Sequence, residues 1–189
     1  MSAFEYVTVL IAIVLGLGIA RILTGIASVI KKSDKVVLYW PHMLWVLFIL
    51  VLHIQEWWIM YELKSHQPWR LPFFLFIMIY PVNLFLLARL LFPDKLNRKL
   101  TDLKQYYYRN FRKLFVLLIL SALVSVLYNL FVLHLSLLDQ VLQIGLVLTV
   151  SVITIRKSTD EWVHKALSVV ILITLVMSII IEWNVWLIE

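Results

Sequence analysis

The chain contains no cysteine. That removes disulfides, thiol nucleophiles, iron–sulfur ligation and thiolate zinc sites together. Glycine and proline are scarce, at four and five in 189 residues, so no stretch reads as a flexible linker or low-complexity tail and a single domain, 1–189, is expected. There is no H-E-x-x-H, G-x-S-x-G or P-loop, and the Gly16-Leu-Gly18 pair lacks the third glycine of a nucleotide fingerprint. None of the apolar runs described below contains a lysine, so a Schiff-base chromophore has no attachment point. These absences argue against an enzyme and single out no catalytic residue and no metal site.

What is present is apolar length. The chain is 63% hydrophobic with a mean hydropathy of +0.96, against roughly 45–50% apolar residues in an ordinary soluble domain. Six runs fill most of it, at about 6–30, 37–61, 71–92, 114–135, 138–155 and 166–188. About 20 apolar residues in a helix cross the ~30 Å hydrocarbon layer, and in lipid only helices or closed barrels satisfy every backbone polar group. The expected fold class is all-α: a six-transmembrane-helix bundle. The segment 1–5 lacks the basic region of a signal peptide, so the first run is expected to remain as a span.

Charge orients the bundle. Lys31, Lys32 and Lys35 lie in the first loop. Lys95, Arg98, Lys99, Lys104, Arg109, Arg112 and Lys113 lie in the third, and Arg156, Lys157 and Lys165 in the fifth. Only Lys64 and Arg70 lie between runs on the other side. The positive-inside rule then places both termini outside, N-out and C-out. Trp57, Trp58, Tyr61, Trp69, Trp183 and Trp186 mark one interface, and Tyr39, Trp40, Tyr106, Tyr107, Tyr108 and Trp162 the other. The +6 net charge is thus topological, and nucleic acid is not an expected partner. Two groups of three runs flank the basic loop, which allows a 3+3 arrangement of inverted halves.

Several polar residues interrupt the runs. Gly18, Arg21, Gly25 and Ser28 share one face of the first run. The small residues suit close helix packing, while Arg21 can snorkel or face an internal cavity. His42, His53 and Glu56 share a face of the second run, with His53 and Glu56 one turn apart, either pairing with each other or forming a protonatable or cation-binding site. Pro81 and Asn83 sit mid-way in the third run, and Arg89 near its basic end. Ser121, Ser125 and Asn129 step by four, as do Thr174, Ser178 and Glu182, and Gln140, Gln143, Ser151 and Thr154 lie near one face. Such stripes face other helices or water rather than lipid. Leu96, Leu100, Leu103 and Tyr107 make an amphipathic stripe in 93–113, expected as a short helix in the interface.

The opening Phe4-Glu-Tyr-Val-Thr-Val-Leu-Ile-Ala-Ile-Val-Leu-Gly-Leu-Gly-Ile-Ala-Arg-Ile-Leu-Thr-Gly25, with Pro93-Asp94 and Asp102 to Arg112, resembles small multi-pass membrane proteins of bacteria. The resemblance implies a bacterial cytoplasmic (inner) membrane and carries no activity.

The leading expectation is a small ion or solute channel or transporter. Its polar pathway would be lined by His53, Glu56, Asn83, Asn129, Gln143 and Glu182, with Arg21 as inner gate or selectivity charge. A homo-oligomer is expected from the small-residue face and the size, with membrane lipids as partners. The alternative is a non-conducting interaction or signalling subunit acting through Lys95, Arg98, Lys99, Lys104, Arg109 and Arg112. No cofactor is expected. A second alternative, b-type haem, would need His53 with His134 or His42 with His164.

Overall fold

The computed structural model describes residues 2–93 and 100–181. Six helices account for most of them: α1 (Ala3–Lys31), α2 (Trp40–Ile59), α3 (Leu71–Leu91), α4 (Leu103–Phe131), α5 (Val141–Arg156) and α6 (Glu161–Ile181). Their limits follow from local chemistry. α1 opens on a capping box, in which Ser2 Oγ accepts from the Glu5 amide at 3.1 Å and the Glu5 carboxylate accepts from the Ser2 amide at 2.8 Å. α2 and α3 each carry proline in the first turn, where its missing N–H costs nothing. Asp102 caps α4 through Oδ1, accepting from the amides of Lys104 and Gln105 at 2.7 and 3.1 Å. α5 ends on Lys157 in the left-handed conformation, φ 53°. Pro81 sits inside α3 without ending it.

Five of the six helices are long and apolar enough to cross a membrane. The exception corrects one expectation. The run at 138–155 becomes a 3-10 turn, Leu138–Gln140, followed by a helix of 16 residues, about 24 Å at 1.5 Å per residue and short of a full hydrocarbon layer. A second correction concerns the basic loop. No separate interfacial helix includes Leu103 and Tyr107, because both belong to the first turns of α4, whose buried stripe continues through Phe111, Leu114, Phe115 and Leu118. Leu100 is exposed, and Leu96 lies outside the described residues.

α1 is apolar on every face. Its inward stripe is Ile11, Leu15, Gly18, Ile22, Gly25 and Val29, yet Val9, Leu10, Ile13, Leu17 and Leu23 are exposed on the other faces and no less apolar. A helix apolar all round needs protein or lipid on every side. α1, α2 and α3 pack on one another, α4 packs on α3 and α2, α5 on α4, and α6 chiefly on α2. Trp45, Ile49, Leu84, Leu87 and Phe115 form the dry centre.

The connections α1–α2, α3–α4 and α5–α6 meet at one end of the bundle, hereafter the basic end. Two short strands join the first two of these: β1 (Val36–Val37) pairs in parallel with β2 (Thr101–Asp102), with Val36 opposite Thr101. Lys104 of α4 and Glu161 of α6 are 2.5 Å apart there, which brings in the third. The three lysine- and arginine-bearing connections therefore share a side.

Candidate functional site

His53 and Glu56 lie on the inward face of α2 with Ile49 and Met60, but they do not pair. The His53 ring is fully buried, and its Nδ1 is 2.7 Å from the Ile49 carbonyl. A carbonyl only accepts, so Nδ1 carries the proton, and in the neutral ring Nε2 is left as a bare acceptor. Nε2 has no partner and faces Gly18 of α1; a Cβ on Gly18 would lie 2.2 Å from it. The glycine is thus the seat of the histidine ring.

Glu56 is half-buried. Among the described residues no hydrogen bond or ion pair reaches its carboxyl. Tyr80 of α3 and Tyr128 of α4 stand nearby, and no hydrogen bond joins either phenol to it among the described residues. The Tyr128 hydroxyl is itself buried with no partner. Neither tyrosine was singled out in the sequence, where each reads as one aromatic among many.

The other expected pathway residues are engaged in helix packing. Asn83 is buried, and its Nδ2 donates to the Leu117 carbonyl at 2.7 Å and to Ser121 Oγ at 2.6 Å, fastening α3 to α4. Gln143 Nε2 donates to the Ala122 carbonyl at 3.2 Å, and Asn129 Nδ2 to Gln140 Oε1 at 3.4 Å, holding α5 on α4. Glu182 lies outside the described residues. Interhelical bonds of this kind contribute about 0.6 kcal/mol each, up to about 1.7, within a bilayer.

Arg21 caps a helix. Its guanidinium donates to the Phe92 carbonyl at 2.9 Å and to that of Pro93 at 3.5 Å. His42 Nε2 donates to the Leu91 carbonyl at 2.8 Å and Tyr106 Oη to that of Leu90 at 3.1 Å. Four successive carbonyls at the end of α3 are thus taken by side chains from α1, α2 and α4. Helix-end carbonyls lack intrahelical partners and carry the negative end of the dipole, so a cation and two N–H or O–H donors meet both needs. Gly25 makes room for this closure, since a Cβ there would lie 2.1 Å from Phe92 Cδ2. Ser28 is half-buried one turn further on. The small face of α1 is therefore occupied by His53 and Phe92 of the same chain.

An aromatic cluster closes the basic end beside this collar. His164 of α6 is fully buried. Its Nε2 donates to the Ser158 carbonyl at 2.9 Å, so Nδ1 accepts from the Tyr107 hydroxyl, also at 2.9 Å. Phe111 stands edge-on to the ring at 4.8 Å and Phe115 stacks at 5.9 Å. Tyr39 and Tyr108 hydroxyls meet at 3.2 Å; burial, then that contact, pushes the Tyr39 phenol well above its usual pKa, so it stays neutral. His164 uses both nitrogens, His53 faces Gly18 and His134 is exposed at the far end of α4. Neither histidine pair considered for haem presents two opposed free nitrogens. Among the described residues no three of His, Asp and Glu are placed to share a metal ion.

Of the basic residues considered for lipid or partner contact, Lys104 pairs with Glu161 and Arg109 and Arg112 are exposed. Lys95, Arg98 and Lys99 lie outside the described residues. A groove of about 310 Å³ runs between Phe4, Thr8 and Ile11 of α1 and Trp57, Trp58 and Tyr61 at the end of α2.

Fold and side-chain placement define an all-α protein, five of whose helices are long and apolar enough to cross a membrane. Comparison of the chain with protein-family models, with curated proteins and with solved structures returned no match.

Proposed function

We propose that the protein is a small cation-handling transport protein of a cytoplasmic membrane, with Glu56 as its ion-binding group. One observation carries this reading: an inward-facing carboxyl near the end of a membrane helix that, among the described residues, no hydrogen bond or ion pair satisfies. An intramembrane carboxylate costs several kcal/mol unless paired or wetted, and such residues mark ion paths. His53, Asn83, Asn129 and Gln143 then serve as the frame around that group, and the path narrows to Glu56, Tyr80 and Tyr128. The basic end faces the cytoplasm by its charge; counting α5 with the 3-10 turn ahead of it as a crossing alongside the five longer helices, the proposal has six crossings, N-out and C-out termini, and Glu56 towards the outside. The 3+3 plan stands as a proposal for helix order alone, because α6 lies chiefly against α2. A bacterial inner membrane and a homo-oligomer remain part of the proposal, the oligomer now through exposed apolar faces rather than the small face of α1.

The test is flux of H⁺, Na⁺ and K⁺ in proteoliposomes. The Glu56→Gln variant loses flux or its pH dependence, whereas His53→Ala impairs assembly more than ion choice. Unaltered flux in Glu56→Gln would sink the pathway. Exposed Arg109 and Arg112 favour a second reading, a non-conducting subunit that binds an anionic partner. Charge reversal at these two arginines abolishes function under that reading and leaves flux unchanged under the first.

A further inference from the structure

The bases at the basic end fall into two sets. Towards α6, Glu161 takes both Lys104 and Lys165, and in the first connection Lys35 stands 3.9 Å from Asp34. Towards α5 the charge is not offset. Arg109, Arg112 and Lys113 of α4 and Arg156 and Lys157 at the end of α5 are all exposed. Among the described residues no hydrogen bond or ion pair reaches any of these five side chains. The nearby acids are engaged elsewhere: Asp102 caps α4, and Asp160 accepts from the Trp162 amide at 3.0 Å.

Helix packing brings the five to one level. α5 runs antiparallel to α4, tied by the bonds from Gln143 to Ala122 and from Asn129 to Gln140. Thirteen residues on from Gln143 is Arg156, and thirteen back from Ala122 is Arg109. Counted from the other bond, Arg156 falls level with Lys113. α4 ends at Phe131, so Arg112 lies about 28 Å from that end at 1.5 Å per residue. That is close to the ~30 Å hydrocarbon layer and sets the five at headgroup depth. The surface leading away from them is exposed and apolar. Val116, Leu120 and Leu123 follow Arg112 at helical steps on α4, and Val152 and Leu148 lie four and eight residues before Arg156 on α5.

We propose that α4 and α5 bind an anionic phospholipid at the basic end. Its phosphate lies among Arg109, Arg112, Lys113, Arg156 and Lys157, and its acyl chains run along Val116, Leu120 and Leu123 and along Val152 and Leu148. Guanidinium forks match phosphate oxygens in geometry as well as charge. A free phosphate would use the cations alone, whereas a lipid also covers the apolar stripes beneath them. The inference names the anionic partner that the second reading above gives to Arg109 and Arg112. It is read as binding, with no assay of function, so it stands or falls apart from either reading.

Native mass spectrometry of the full chain in mild detergent, titrated with phosphatidylglycerol or phosphatidylcholine, reads the first bound lipid apart from later ones. A basic residue near an anionic surface contributes about fivefold in affinity. The wild type is expected to bind the first phosphatidylglycerol at least about fivefold tighter than phosphatidylcholine. Arg112→Gln/Arg156→Gln is expected to lose about five- to 25-fold for phosphatidylglycerol alone. Arg109→Gln/Lys157→Gln, at two other exposed positions, is expected to lose as much, which covers a first pair that does not fold. Lys31→Gln/Lys35→Gln makes the same change in net charge on the α1–α2 connection and is expected to keep the preference. No loss in the α4–α5 variants, or an equal loss in that control, overturns the site. Complete displacement of phosphatidylglycerol by millimolar inorganic phosphate overturns the lipid assignment, because the cations alone would then account for binding.

Discussion

Gly25→Ala tests whether the seam between α1 and α3 is packed as described. Two terms oppose each other. Replacing glycine by alanine inside a helix ordinarily gains about 0.5–1 kcal/mol by reducing the entropy lost on folding. Against it, the new methyl would sit 2.1 Å from Cδ2 and 2.5 Å from Cε2 of Phe92, far inside contact distance. The Phe92 ring has little room to yield: the residue is 2% exposed, stands edge-on to His42 at 6.0 Å, and its carbonyl is held by Arg21. Overpacking of this kind costs about 1–3 kcal/mol, so the clash wins and the net loss is about 1–2 kcal/mol. For a chain of this length that is a Tm lower by roughly 2–8 °C, on the scale of about 2–4 °C per kcal/mol. Gly16→Ala is the control, since no atom lies within 4 Å of its added Cβ. Melting in mild detergent, followed by tryptophan fluorescence through buried Trp45, is expected to place Gly25→Ala below the wild type and Gly16→Ala at or above it. The double variant Gly25→Ala/Phe92→Leu is expected to regain most of the loss, a coupling that only neighbours give. If Gly25→Ala melts as high as Gly16→Ala, the seam is not built this way.

Arg21→Gln removes a charge-assisted bond to a helix end and is expected to cost about 1.5–3 kcal/mol, read by the same melt, with Arg21→Lys recovering part of it. Asn83→Ala frees Ser121 and the Leu117 carbonyl and is expected to cost about 1–2 kcal/mol, from two interhelical bonds at bilayer strengths, with Ser121→Ala adding less than its own single effect. Lys104 and Glu161 are both partly exposed, so charge reversal at either alone should lower stability only slightly. The exchanged pair Lys104→Glu/Glu161→Lys should restore it, which a melt at low and high salt can check. Tyr107→Phe leaves His164 Nδ1 without its donor in a dry site and is expected to cost about 1–3 kcal/mol.

Spans were legible because apolar length is a local property. The first three helices lie within a few residues of their expected limits. α4 was misjudged at its start, although 100–131 contains neither glycine nor proline and Asp102 followed by an unbroken apolar stripe is a helix opening. The small face of α1 was legible for the same reason, but not what fills it, since Gly18 meets a ring 35 positions away and Gly25 one 67 away. Arg21 shows the limit most clearly. Its depth could be counted, whereas its partner depends on where α3 ends, 71 residues on. Asn83 and Gln143 were read as pathway residues from their polarity, and polarity alone does not distinguish a side chain bonded to a neighbouring helix from one facing water. Glu56 stays in the proposed pathway because, among the described residues, no hydrogen bond or ion pair reaches its carboxyl.

The small parallel pair of β1 and β2 has a consequence for how the protein is made. Val36 finds its place opposite Thr101 only after 65 further residues have been synthesised. Two hairpin turns of the chain must thus enter the membrane before the first connection can take its final shape. Until then Tyr39 lacks Tyr108 and the end of α3 lacks Tyr106. A chain stopped near its middle would hold Arg21 and His42 on the end of α3 but lack the β1–β2 pair and the Tyr106 and Tyr108 contacts, which arrive only with α4.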